Sequence, residues 1–196
     1  MNIAILTHNG TVECRPDTTW EREDRDIYAP DFVTGYTYSP VLFARVCKAG
    51  KCIGSKFTDR YYDAVNYGVL LYSVLEDGEE ARGRSLTSSV MDHTSVLPFP
   101  LYDKAVLGNK DNMFSLEADK KNAAGESMLF STDCGSPEII DSALQKVSSF
   151  LSLRIGDIVA AELNAPVPLI SRESLDRIRL SGAFCGNSLF DFNIIM

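Results

Sequence analysis

A chain of 196 residues with 45% hydrophobic residues holds one domain with a substantial core, and it needs neither disulfides nor a structural metal to fold. Its formal net charge of −8 excludes docking on a nucleic-acid backbone or on an anionic membrane, both of which require a basic surface. Met1 to Leu6 has neither a basic region nor a long apolar run before polar Thr7 and His8, so no signal peptide is expected. No window approaches a membrane span. The cysteines at 14, 47, 52, 134 and 185 are odd in number and form no CxxC pair, and Cys47 and Cys52 are too isolated for a zinc site. Reduced thiols in a cytoplasmic protein are expected.

In chain order, Ile3 to Leu6 and Thr11 to Cys14 flank Asn9-Gly10, which predicts a hairpin. Trp20 to Asp26, "WEREDRD", is dense in charge of both signs and reads as a solvated turn or short exposed helix. Asp31 to Ser39 predicts an extended loop, Pro40 to Val46 a short apolar strand, and Val65 to Leu75 a buried strand closed by a turn at Glu76-Asp77-Gly78. Pro98 and Pro100 make Leu97 to Leu101 irregular. Phe114, Leu116 and Ala118 alternate with polar residues as in a half-buried strand, and a turn at 122–125 leads to a second extended piece, Ser127 to Ser131.

One helix is expected, from Pro137 to Leu153. Ser136 caps it, Pro137 suits its first position and Glu138 complements its dipole. Ile139, Ile140, Ala143, Leu144, Val147, Phe150 and Leu151 mark its buried face. Gly156 ends that passage and Asp157 to Leu163 is a strand. Ile178 to Leu180 and Leu189 to Ile195 are two more, with a turn over Gly182 to Gly186. Many strands, one long helix and no βαβ alternation predict a mostly β, α+β fold and not a doubly wound sheet.

Three stretches resemble the fumarylacetoacetate hydrolase family. "SPVLFA" (Ser39 to Ala44) is similar to its entry strand, "AVNYGVLL" (Ala64 to Leu71) to its metal-binding strand, and "ALQKVSSFLSLRIGDIV" (Ala143 to Val159) to its helix-to-strand passage. The resemblance spans about residues 39 to 195 and implies a mixed β-roll. The chain then divides into an N-terminal hairpin and charged loop (1–38) packed on a roll domain (39–196), and a homodimer is expected.

The same resemblance implies a magnesium or manganese site of three carboxylates, since hard cations take oxygen ligands. The matching positions here are Ala64, Asn66 and, in "TSSVMD", Thr87. Asp63 points to the other face of its strand by the period of two, and Asp92 matches only that motif's trailing acid. The family's lysine falls near Phe99 or Pro100, with Lys104 later in the chain. Its substrate-holding "TGTP" is Ala161-Glu162-Leu163-Asn164. Its lid histidine belongs before Tyr28, where no histidine stands, and His8 lies earlier, in the hairpin. Ala64, Asn66, Thr87, Ala161, Glu162 and Leu163 are thus the positions of the family pocket, with no metal ligand among the first three.

Other residues carry weaker chemistry. Asp92-His93 is a candidate acid-base or metal pair, although adjacent residues on a strand face opposite ways, and a loop histidine is the plainer reading. Cys134, ahead of the helix, is a candidate thiolate or a plain turn cysteine. Glu162 is a catalytic candidate or the partner of an arginine. Tyr61, Tyr62, Tyr67 and Tyr72 read as packing.

The expectation is therefore a family-like protein inactive at the metal site, without a cofactor, that binds a small organic acid or a protein. Two alternatives stand beside it. One is a magnesium- or manganese-dependent hydrolase or decarboxylase of oxoacids with Asp63, Asp92 and Glu162 as relocated ligands. The other is a structural subunit of an active paralogue.

Overall fold

The computed structural model describes residues 1–75, 87–109, 111–120, 127–132 and 136–196. The turns expected at 76–78 and 122–125, and Cys134, lie outside the described residues. Among the described residues the strands are β1 (Asn2–Leu6), β2 (Val12–Pro16), β3 (Trp20–Glu21), β4 (Ile27–Tyr28), β5 (Val33–Val46), β6 (Tyr62–Leu75), β7 (Ser95–Val96), β8 (Tyr102–Asp103), β9 (Phe114–Ala118), β10 (Met128–Thr132), β11 (Ile158–Glu162), β12 (Val167–Ser171), β13 (Arg177–Phe184) and β14 (Asn187–Ile195). The one α-helix is α1 (Pro137–Phe150). They form a nine-stranded sheet with the path β2-β1-β11-β5-β6-β7-β3, to which β12 and β8 add, and a five-stranded sheet ordered β10-β9-β13-β14-β4. The larger sheet curls into a nearly closed roll, which is the mixed, mostly β architecture the sequence predicts.

The hairpin forms where Asn9-Gly10 predicts it, with Gly10 at a φ of +81° and β1 antiparallel to β2. The other edge of β1 pairs in parallel with β11, Leu6 opposite Ala161, so the N-terminal strand is internal to the sheet. β5 also runs further than expected: the Asp31 to Ser39 stretch is not a loop from Val33 onward but the first half of a 14-residue strand. β12 pairs with Gly35 to Tyr38 and β11 with Val41 to Arg45. Pro40, which has no N–H to donate, falls at the changeover between these two partners. Residues 38 and 39 lie inside this strand.

One face of the roll carries Ala4, Leu42, Val65, Tyr67, Val69 and Val159 against α1 and the five-stranded sheet. Tyr67 stacks on Phe114 with ring centroids 4.7 Å apart. The other face encloses a smaller core of Ile3, Ile5, Val41, Phe43, Leu70, Tyr72, Leu97 and Ile158. Tyr62, Tyr67 and Tyr72 are buried, as packing tyrosines should be.

Ser136 Oγ accepts the Glu138 N–H at 3.2 Å and starts α1. The helix ends at Phe150, three residues short of the expected Leu153, because Leu153 pairs with Gly50 as an isolated bridge. Its buried face is Ile140, Ala143, Leu144, Val147 and Ser148. Phe150, assigned to that face from its spacing, is 61% exposed. Ser148 takes the inward place instead, because its Oγ accepts the Ile53 N–H at 3.0 Å. Leu144 is fully buried, so Leu144→Ala should cost about 2–5 kcal/mol in a urea unfolding series. A loss under about 1 kcal/mol would show that α1 does not seal this core.

Gly182 belongs to β13 rather than to a turn, since a Cβ there would sit 2.4 Å from the Phe190 ring. The turn is Cys185-Gly186, both at positive φ. The "WEREDRD" stretch is neither helix nor fully solvated: Trp20 and Glu21 pair in parallel with Ser95 and Val96, and Glu21 is buried.

Candidate functional site

The positions matching the family metal site do not assemble a cation site. In β6, Ala64 lies opposite Arg45 and Asp103 and presents only a methyl group. Asn66 is fully buried. Its Nδ2 donates to the carbonyls of Pro98 (3.4 Å) and Pro100 (2.9 Å), and its Oδ1 accepts the Tyr67 N–H at 2.8 Å. The amide therefore ties the 98–100 segment to the roll. Thr87 opens a 3-10 turn, Thr87–Ser89. Met91, just beyond that turn, takes the Ser73 hydroxyl on its sulfur. Ser73 is seven residues along β6 from Asn66, about 23 Å of strand, whereas the segment that Asn66 contacts is 98–100.

The alternative ligands are also dispersed. Asp63 is exposed and paired with Arg45 at 3.2 Å, Asp92 is exposed, and Glu162 is buried and engaged elsewhere. Lys104 reaches Asp59 at 2.6 Å and the ring of Tyr62. A methyl group and an amide committed to its neighbours do not fit magnesium or manganese, which require several oxygen ligands at one point. Among the described residues, no group of three or more His, Cys, Asp or Glu side chains is placed to hold a metal ion.

A different constellation forms at the far end of β11. The parallel register of β1 with β11 carries His8 to Glu162. The Glu162 side chain is fully buried and its partners converge on it: Tyr72 Oη donates to Oε1 at 2.5 Å, and the His8 backbone N–H donates to Oε2 at 2.9 Å. His8 Nδ1 lies 3.3 Å from Oε2. Among the described residues Glu162 meets a histidine and a tyrosine, and the buried Arg15 guanidinium is close enough to interact with it electrostatically. Behind Tyr72 sits Arg15, 1% exposed, its guanidinium carbon 4.4 Å from the ring centroid. Arg15 Nη1 donates to Thr94 O (3.2 Å), Thr94 Oγ1 (3.4 Å) and Ser95 Oγ (3.3 Å), joining β2 to the segment around β7. Burial pushes its pKa down, while the nearby oxygens of Tyr72, Glu13 and Glu162 oppose that shift.

His8 opens onto a cleft of about 440 Å³ lined by Leu6, Thr7, Ile139, Ser142, Ala161 and Glu162, among others. Ala161 belongs to the larger core, and half-buried Leu163 donates its N–H to Pro40 O at 2.9 Å.

The second histidine repeats the arrangement. His93 Nδ1 lies 2.8 Å from Glu21 Oε2, and Glu21 Oε1 accepts the N–H groups of Arg22 (2.8 Å) and Glu23 (2.7 Å). The loop histidine expected from the sequence thus pairs with Glu21, and His93 is held at a φ of +62°. Neither histidine-glutamate pair is visible locally, since His8 and Glu162 lie 154 residues apart.

No family model and no curated protein matches the sequence. Solved structures match its fold, which is that of the fumarylacetoacetate hydrolase family. A fumarylacetoacetate hydrolase family protein from Yersinia pestis is 18% identical with a TM-score of 0.73, over 99% of this chain and 92% of that one. Fumarylpyruvate hydrolase from Pseudomonas aeruginosa, solved with Mn2+ and pyruvate, is 17% identical with a TM-score of 0.73, over 100% and 90%. A 5-carboxymethyl-2-hydroxymuconate delta-isomerase from Mycobacterium smegmatis is 11% identical with a TM-score of 0.73, over 99% and 78%. At these identities the likeness is one of fold. Among the described residues no helix is long and apolar enough to cross a membrane.

Proposed function

We propose that this protein uses the fumarylacetoacetate hydrolase fold without its metal-dependent chemistry, as a cytoplasmic homodimer that binds a small ligand. The observation that carries this reading is Asn66: where the resemblance implies a carboxylate ligand, a buried amide is committed to the carbonyls of Pro98 and Pro100. Asp63, Asp92 and Glu162, the carboxylates of the relocated-ligand alternative, have separate surroundings.

Millimolar magnesium or manganese is expected to leave the melting temperature unchanged. A cation bound only to the folded state at a hundredfold excess over its dissociation constant would add about 2.7 kcal/mol. Acylpyruvate and oxaloacetate assays should show no metal-dependent turnover. Turnover above the solution rate that chelation abolishes would restore the hydrolase reading. Light scattering on the purified chain tests the dimer.

A further inference from the structure

The sequence contains a single Asn-Gly step, Asn9-Gly10, and both residues are exposed in the turn of the β1–β2 hairpin. We propose that Asn9 is a site of self-modification, converted to aspartate and isoaspartate by the main-chain nitrogen of Gly10, and that the closed turn holds this reaction back until the hairpin tip opens.

The chemistry needs no co-reactant but water. The Gly10 nitrogen loses its proton and attacks Asn9 Cγ, which closes a five-membered imide. The bond from Cγ to the side-chain nitrogen breaks, and that nitrogen leaves with the proton as ammonia. Water then opens the imide at one carbonyl or the other. One opening gives aspartate, and the other gives isoaspartate, in which the main chain runs through the former side-chain carbon. Glycine at the second position favours the step because it has no Cβ to crowd the ring. Either product adds a negative charge next to His8, which opens onto the cleft.

The folded turn opposes this reaction at both reacting groups. The Gly10 N–H donates to Thr7 O at 2.9 Å, and the Thr7 N–H donates to Thr11 O at 2.9 Å. The attacking nitrogen is therefore engaged in the turn and keeps its proton. Asn9 Oδ1 accepts from the Thr7 hydroxyl at 2.5 Å, the Thr11 hydroxyl at 2.9 Å and the Thr11 N–H at 3.2 Å. Donors from both sides of Asn9 fix its side-chain torsions, whereas ring closure requires Cγ to swing onto the Gly10 nitrogen. The same donors polarise the amide, but that help is lost with the turn contacts that must open to release the nitrogen. An exposed hairpin tip belongs to the part of a fold that opens locally at the lowest cost.

The test incubates the full chain at mildly alkaline pH, folded in buffer and unfolded in guanidinium chloride, at one temperature. Peptide mapping by mass spectrometry follows aspartate and isoaspartate formation at Asn9. Conversion is expected in the unfolded chain and should be about tenfold or more slower in the folded one, as the loss of one or two hydrogen bonds on opening requires. Thr11→Val removes one donor to Oδ1, so it should speed conversion in the folded protein and leave the rate in guanidinium unchanged. If Thr11→Val fails to fold by circular dichroism, the folded and unfolded rates of the parent decide. Equal rates in the two states of the parent, no conversion at Asn9 in the unfolded chain, or a folded Thr11→Val protein no faster than the parent would each overturn the assignment.

Discussion

Replacing Asn66 with Asp is expected to destabilise the protein by about 3–5 kcal/mol at neutral pH, as an uncompensated buried charge does. The change is nearly isosteric, so packing hardly alters. The Nδ2 donor that serves the Pro98 and Pro100 carbonyls is replaced by an acceptor facing two acceptors. Burial and the facing carbonyls raise the new carboxyl's pKa in the folded state, because both disfavour its charged form. The folded protein then holds a proton that the unfolded chain releases near about pH 4, and the deficit grows as the pH rises from there toward the raised value. Urea unfolding of both proteins at about pH 5 and about pH 8 reads this as a smaller difference at the lower pH. A variant as stable as the parent at both pH values would show that the 98–100 segment moves away and that the metal-ligand slot is more adaptable than its contacts indicate. Adding Ala64→Glu and Thr87→Asp should not rescue it as a cation site, because Met91, just beyond the Thr87 turn, meets β6 at Ser73, seven residues from Asn66.

The other large effect is expected at Arg15. Its guanidinium is buried, packed on Tyr72, and hydrogen-bonded to Thr94 and Ser95 across the gap between β2 and β7. Among the described residues Nε and Nη2 make no hydrogen bond of ordinary geometry, but the Tyr72 hydroxyl and the Glu13 and Glu162 carboxylates offset part of the desolvation. Its removal deprives the buried Glu162 carboxylate of the nearby charge that opposes its own. Arg15→Ala should therefore cost about 3–5 kcal/mol, as removal of one member of a buried charge group does, and it also leaves a cavity. Arg15→Met refills most of that volume, and the deficit it retains isolates the electrostatic part. The urea midpoints of the two variants make the comparison. An Arg15→Met protein as stable as the parent would mean that Glu162 is compensated without Arg15.

Local pattern determined the features whose causes lie close together in the chain. Asn9-Gly10 supplies the turn backbone, Ser136-Pro137 starts the helix, the alternation of Phe114, Leu116 and Ala118 sets a half-buried strand, and "RIGDIV" leads into β11. Each depends on neighbours within a few residues, so composition and spacing carry it. Even here spacing alone puts Phe150 on the buried helix face, because it cannot tell an inward serine that accepts another segment's N–H from an outward aromatic ring.

Tertiary structure alone decided the site. The loss of carboxylates at Ala64 and Asn66 can be read from the residues. That Asn66 holds the 98–100 segment follows only from how β6, β7 and β8 pair. Likewise His8 is an unremarkable hairpin residue in sequence. It becomes the partner of Glu162 because β1 enters the sheet parallel to β11 in one particular register, and a slip of one residue would point either side chain to the opposite face. Sequence neighbours encode strands and turns, but the meeting of two polar groups 154 residues apart is fixed by strand order and register. Those are properties of the assembled sheet, set by the burial of many side chains at once, and no single segment contains them.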